Sequence, residues 1–292
     1  MNIKKVFAAA ASAVLLSALL TGCGASMKTA RVAAKFGAAL KEQPITSATA
    51  EISTGVTASD GEQEFRAEYH TVVRSKTDWD LNRSYSDVSS TVKLGDETTG
   101  QSLQSYTSGE SGEDVRYVHL DAIDTWIRLQ NQKRAVDIDP GLILLLLDKV
   151  SEDTTMEVRE STVGGGVHYV LGLSFNAQDI MDFVSTAGLN IPEEFKDCDF
   201  KDVRIPVELE IEDKTFLPIR LQAKLQGIND TLIQALARSC AKGKALGGLT
   251  IEMEDVSLLI TNFNYGPQDI PMLPKGAAEK ALDMEKVKEI QN

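Results

Sequence analysis

Histidine and cysteine are scarce, with three of each among 292 residues. That is too few for a zinc framework of clustered thiolates and imidazoles. Aromatic residues are only 6% of the chain and proline occupies only eight positions. No segment shows a collagen period or a low-complexity bias. Basic residues are outnumbered by acidic ones, 30 against 43, for a formal charge of −13. A generic grip on nucleic-acid phosphates needs a basic face, so that class of partner is excluded. Beyond the N-terminal segment no apolar run reaches the ~18 residues of a membrane-spanning helix. What is present is ordinary globular material, 42% hydrophobic and 25% charged, enough for a sizeable core.

The N-terminus carries an address. Lys4 and Lys5 precede an apolar stretch, Val6 to Leu20, broken only by Ser12 and Ser17, and then comes Leu20-Thr21-Gly22-Cys23. The stretch is short for a bilayer and fits an export signal. Its ending is similar to a bacterial lipoprotein signal. That resemblance implies a lipoprotein signal peptide at 1–22 and a lipidated Cys23, with palmitate among its acyl groups. Residues 23–26 are then a short tether, and the body lies on the extracytoplasmic face of the cell membrane. More than one acyl chain would hold it there stably. Losing residues 1–22 removes Lys4 and Lys5 and no acid, which takes the charge from −13 to −15. Residues 27–43 carry +3, leaving −18 for 44–292. The basic segment is either drawn to anionic headgroups or a solvated helix face. Cys198 and Cys240 remain. Either they form a disulfide, which exported compartments permit and which would contribute about 3–4 kcal/mol, or they are buried thiols, which suits Cys240 on an apolar helix stripe.

The body alternates between two periodicities. Ser26 could cap a helix running to about Gln43, ended by Pro44, with Val32, Phe36, Ala39 and Leu40 on one face. Strand patterns follow over 48–58, 65–75, 79–88, 115–119 and 126–129. The polar stretch Gly95 to Asp114 reads as a hairpin with an exposed tip. Asp139-Pro140-Gly141 opens an apolar run, Leu142 to Leu147, read as a buried helix. Strands 154–162 and 167–175 flank Gly164-Gly165-Gly166, a hairpin turn without the Lys and Ser/Thr of a phosphate loop. Asn176 caps a second helix, 177–187. Val207 to Glu212 alternates strictly, and Leu217, Ile219, Leu221, Ala223 and Leu225 share one face after the turn Asp213-Lys214-Thr215. A third helix spans about 230–242. Leu249, Ile251 and Met253 begin a last long strand. It slips phase near Asp255-Val256, as at a bulge, and continues through Leu258, Ile260 and Asn262. Lys275 to Ile290 reads as a charged terminal helix.

Tight turns imply an antiparallel sheet, and the apolar helices need a surface to cover. The expected fold is α+β, a curved antiparallel sheet with helices packed on its concave face. Residues 27–273 form one domain and 274–292 a charged C-terminal helix or tail. On Cys23, the opening helix ending at Pro44, the hairpin from Glu210 to Leu221 and the strand from Phe263-Asn264-Tyr265 to Ile270-Pro271, the chain resembles the LolA-like lipoprotein carrier superfamily, which includes LolA, LolB, LppX and LprG. The resemblance covers most of 27–273. It implies a half-open barrel with helices as a lid around an apolar cavity for lipid, and no shared catalytic residues.

The residues themselves offer little catalytic chemistry. His70, His119 and His168 sit in separate strand patterns without HExxH spacing, so no metal site is expected. No G-x-S-x-G elbow and no calcium loop is present, and no cofactor is expected. The acids Glu208, Glu210 and Glu212 alternate along a wet face. Trp79 and Trp126 are core anchors or rim residues. The leucine run exceeds what one packing face needs, so Leu142, Leu145 and Leu146, with Met181, Phe183, Leu232 and Leu236, are the candidate lining of a lipid cavity. The competing reading makes them a solid core. The function expected is a non-enzymatic, lipid-anchored binder of a lipid or other hydrophobic ligand. The alternative is an envelope protein-protein interaction module with no ligand.

Overall fold

The structure is a computed structural model. It describes residues 27–59, 61–108, 115–129, 157–161, 166–179, 200–224, 250–254 and 256–283. One helix opens the described chain, α1 (Met27–Lys41). Its buried side chains, Val32, Ala33, Phe36 and Leu40, recur at helical spacing and give it one apolar face. Lys41 lies in the last turn, where a cation complements the helix dipole, and Pro44 ends the helix as expected.

Thirteen strands follow among the described residues: β1 (Ile45–Ser59), β2 (Glu64–Asp78), β3 (Arg83–Leu94), β4 (Glu97–Ser108), β5 (Val115–Leu120), β6 (Thr125–Leu129), β7 (Glu157–Ser161), β8 (His168–Asn176), β9 (Arg204–Glu212), β10 (Pro218–Lys224), β11 (Thr250–Met253), β12 (Ser257–Tyr265) and β13 (Leu282–Asp283). They form one open, curved sheet in the order β13-β6-β5-β4-β3-β2-β1-β12-β10-β9-β8-β7, with β11 beside β1. Every pairing is antiparallel except β13 with β6. The antiparallel sheet is therefore as expected. The three apolar helices of the middle region lie outside the described residues, apart from the start of the second. There Asn176 accepts the N–H of Gln178 at 2.8 Å, as a cap should.

Residues that alternate along each strand line two faces. The inner face joins α1 in one core, in which Phe36, Ala33, Ala50, Leu171, Leu209 and Ile211 are fully buried. Three one-residue insertions keep the right side chains on that face. Met253 pairs with Val56 but Ser257 with Ser53, so the return strand carries one extra residue around 254–256. This is the expected bulge. A second follows, because Thr261 pairs with Thr49 but Asn264 with Ser47. The extra residue is Asn262, held at φ 54°, a left-handed conformation that asparagine tolerates better than most. The sequence reading placed Asn262 inward in phase with Ile260. Instead the bulge turns Asn262 out and brings Phe263 and Tyr265 to the core side. A third shift, between Pro218 and Arg220, puts Pro218 opposite Ile211. It breaks the single phase expected from Leu217 through Ala223.

Two further expectations change. The polar stretch 95–114, expected to be a hairpin with an exposed tip, instead holds a full strand, since residues 97–108 are β4, paired with β3 from Glu97 to Thr107. Among the described residues of that stretch only Gly95 and Asp96 turn, with Gly95 at φ 59°. Serine and threonine hid the strand because its inner positions are hydroxyls rather than hydrocarbons. The expected terminal helix is interrupted among the described residues. A single turn, α2 (Ala277–Lys280), ends at Ala281, and Leu282 pairs with Ile127 at the free edge of β6. A one-turn helix has little cooperative stability of its own, and an open edge offers unpaired backbone groups that a passing chain satisfies.

Candidate ligand-binding face

The register aligns one apolar residue from each of ten strands. From β7 to β5 the row reads Val158, Leu171, Leu209, Leu221, Ile260, Ala50, Val73, Val88, Leu103 and Leu120. At about 4.8 Å per strand the row spans roughly 43 Å. Its two halves differ. From β8 to β2 the row is buried, with Leu171 and Leu209 at 0% exposure. From β3 to β5 Val88, Leu103 and Leu120 are only half-buried.

Hydroxyls flank this second half on both sides. One step toward the tips of the long hairpins, Thr71 and Ser90 lie opposite each other and share a hydrogen bond of 3.0 Å, with Gln101 beyond. One step the other way lie Ser75, Ser86 and Ser105. One step further are Thr77, Ser84, Thr107 and Arg116. The six hydroxyl residues of these last two rows, Ser75, Ser86, Ser105, Thr77, Ser84 and Thr107, are buried, none more than 8% exposed. Arg116 is half-buried, and its Nε donates to Ser105 Oγ at 2.5 Å. The Thr77 hydroxyl, on a residue with 0% exposure, has no hydrogen-bond partner among the described residues. The end of the sheet is closed by Trp79, whose Nε1 donates to Thr46 Oγ1 at 3.0 Å and whose N–H donates to the Pro44 carbonyl. Asp78 Oδ1 accepts the N–H groups of Asp80 and Leu81 and so shapes the turn into β3. Trp79 is thus an end plug of the fold.

Trp126 is elsewhere, on the outer face of the sheet with Tyr85 and Tyr106. Tyr85 and Tyr106 have centroids 5.0 Å apart, Tyr106 and Trp126 5.7 Å, and His119 and Trp126 4.7 Å. Burial raises the phenol pKa of Tyr85 and Tyr106, and the negative charge of Asp87 adds to it. His119 touches Asp121 through Nδ1 at 2.8 Å and Asp124 through Nε2 at 3.0 Å. Ser102 donates to Asp121 rather than to the imidazole, so the three side chains are not in the order of a Ser-His-carboxylate triad, in which the imidazole takes the hydroxyl proton. The Ser102 hydrogen bond holds the Asp121 carboxyl below its usual range. The hydrogen bond and charge of His119 act the same way, against burial. His70 lies 3.9 Å from Glu51 and far from this group. Among the described residues no cluster of three or more His, Cys, Asp or Glu could hold a metal ion. The acids Glu208 and Glu210 are engaged by Arg159 and Arg220.

The candidate residues named from the sequence, Leu142, Leu145, Leu146, Met181, Phe183, Leu232 and Leu236, lie outside the described residues. So do Cys23, Cys198 and Cys240. The inner-face row was missed. Each strand's alternation is visible in the sequence, but which residue of one strand stands beside which of the next depends on register, and no single strand carries it.

No protein-family model matches the chain, and no curated protein matches it. Solved structures that are similar to it include the following two. One is a DUF1329 family protein from Desulfovibrio piger, 13% identical, covering 84% of this chain and 96% of its own, with a TM-score of 0.27. The other is described as an outer membrane lipoprotein-sorting protein domain from Vibrio parahaemolyticus, 9% identical, covering 85% and 95%, with the same TM-score. At that TM-score neither bears on the functional reading, which rests on the chain's own geometry.

Proposed function

We propose that this protein is a non-enzymatic, lipid-anchored lipoprotein of the extracytoplasmic membrane face that binds a hydrophobic ligand, a lipid in the simplest case, against the inner face of its sheet. The leader ending at Cys23 supports the anchor and the location. The observation that carries the binding reading is the ten-strand apolar row, whose β3–β5 half stays partly open instead of being sealed into the core. Affinity would come from burying hydrocarbon at about 0.8 kcal/mol per methylene, and release would need a covering element to move.

The test is native mass spectrometry of the whole chain carrying Cys23→Ser, followed by solvent extraction of what it carries. A discrete lipid-sized mass, lost when Val88→Trp fills the row, supports the reading. A clean apo mass after exposure to several lipid classes, with the protein folded, would sink it.

A further inference from the structure

The hydroxyl patch beside the open half of the row is the least explained part of the core. A sheet face that only needs filling gains nothing from hydroxyls, because each must find a partner or lose the bonds it made in water. Here Thr77, Ser84, Ser105 and Thr107 are buried on three adjacent strands, and the Thr77 hydroxyl is unpartnered among the described residues. Arg116 stands at the end of the same cross-strand row as Thr77, Ser84 and Thr107. It reaches Ser105 through Nε. A guanidinium beside hydroxyl donors is the combination that recognises carboxylate or phosphate oxygens, since both supply N–H or O–H groups and neither needs to lose a proton.

Position adds to chemistry. Same-face neighbours along a strand lie about 7 Å apart. The Thr77-Arg116 row is therefore roughly 14 Å from Val73, Val88 and Leu103, and the Ser75-Ser86-Ser105 row lies between them. The hydroxyl strip and the hydrocarbon strip therefore lie side by side, within the length of a single amphiphile.

We propose that this patch is a head-group site and that the ligand is an anionic amphiphile, its carboxylate or phosphate held by Arg116 with Ser84, Ser105 and Thr107, and its remaining acceptor met by Thr77. The inference rests on the ligand-binding reading above and adds the charge and position of the head.

The test compares palmitate, 1-hexadecanol and inorganic phosphate by isothermal titration on the whole chain carrying Cys23→Ser. The two chains are matched and only one bears an anion. Palmitate is expected to bind at least about tenfold more tightly than the alcohol, and phosphate alone not measurably. Arg116→Gln is expected to abolish the difference and leave alcohol binding intact, which also reports that the variant is folded. Arg116→Lys should restore part of it, and Thr77→Val should lower palmitate affinity alone. Equal binding of palmitate and alcohol by the parent would overturn the head-group site and leave the hydrophobic-ligand reading standing. Binding of neither chain would remove both. Tight binding of inorganic phosphate without the chain would make this a free-anion site and overturn the amphiphile assignment. A preference for palmitate that survives Arg116→Gln would place the anion elsewhere and also overturn it.

Discussion

Replacing Asn262 by valine tests the bulge that sets the phase of β12. Asn262 sits at φ 54°, where an L-residue crowds Cβ against its neighbouring carbonyl at a cost of roughly 1–2 kcal/mol. A β-branched side chain suffers more than asparagine. The chain has one escape, which is to slide the extra residue along the strand. That would turn Phe263 and Tyr265 to the other face. Tyr265 would then lose its 2.7 Å hydrogen bond to the Pro218 carbonyl, about 0.5–1.5 kcal/mol, and burial of about 1.5–3 kcal/mol for a large ring. Sliding therefore costs more than the strain, and the fold should keep the bulge and bear it. We expect Asn262→Val to destabilise by about 1–3 kcal/mol, a fall of roughly 2–10 °C in melting temperature. Asn262→Gly also removes the side chain but is at ease at positive φ, so it should match the parent or exceed it. Equilibrium urea unfolding followed by tryptophan fluorescence measures both. If valine and glycine variants are equally stable within about 0.5 kcal/mol, a left-handed residue is not what holds Phe263 and Tyr265 inward.

Three other expectations follow from single contacts. Burial holds the Tyr265 phenol well above its ordinary pKa, so the fold favours the protonated ring. Stability from this source is intact below the unfolded pKa near ~10 and is lost as pH rises beyond it. Tyr265→Phe should flatten the alkaline limb of a stability-pH curve while costing about 0.5–1.5 kcal/mol at neutral pH through the Pro218 hydrogen bond, and an unchanged alkaline limb would refute the assignment. Asp121 is depressed chiefly by Ser102, so its stabilisation is present above the unfolded carboxylate range and lost as pH falls through the folded pKa. Ser102→Ala should move the midpoint of the Asp121 carboxyl titration, followed by NMR, to higher pH, and no movement would mean that His119 alone sets it. Leu209 is fully buried in the middle of the apolar row, and Leu209→Ala should cost about 2–5 kcal/mol by urea unfolding, whereas a cost below about 1 kcal/mol would mean that the row is not a packed core at that point.

The legible part of the fold was the part written in hydrocarbon. β9 announces itself because Val207, Leu209 and Ile211 alternate with Glu208, Glu210 and Glu212, and α1 because Val32, Phe36 and Leu40 recur at helical spacing. The first bulge was also legible, since the inward residues change from Ile251 and Met253 to Leu258 and Ile260. The second was not. Asn262 continues the same even-numbered alternation in sequence, and only its positive φ and the pairing of Ser47 with Asn264 reveal the insertion. β4 was hidden for a different reason. Its inner residues Ser105 and Thr107 carry no hydropathy signal, although both are buried. The terminal strand β13 depends on an empty edge supplied by β6, more than 150 residues earlier in the chain.

The same two features, polar alternation and hidden register, account for why the inner-face row was not legible in the sequence. Leucine-rich stretches are conspicuous, so the eye goes to Leu142 and its neighbours. A sheet recruits its binding surface from single residues on many strands, each unremarkable alone. Val73, Val88, Leu103 and Leu120 are ordinary strand residues until register places them side by side. Ser75, Ser86 and Ser105 are ordinary polar residues until the same register stacks them one step away. A filled core would favour hydrocarbon at all of these positions, because a buried hydroxyl yields at best a modest net gain and, unpaired, a loss. The division of one face into a strip of hydrocarbon and a strip of hydroxyls ending at Arg116 is therefore costly for stability alone. It becomes economical once a molecule with the same division, chain at one end and charge at the other, lies upon it.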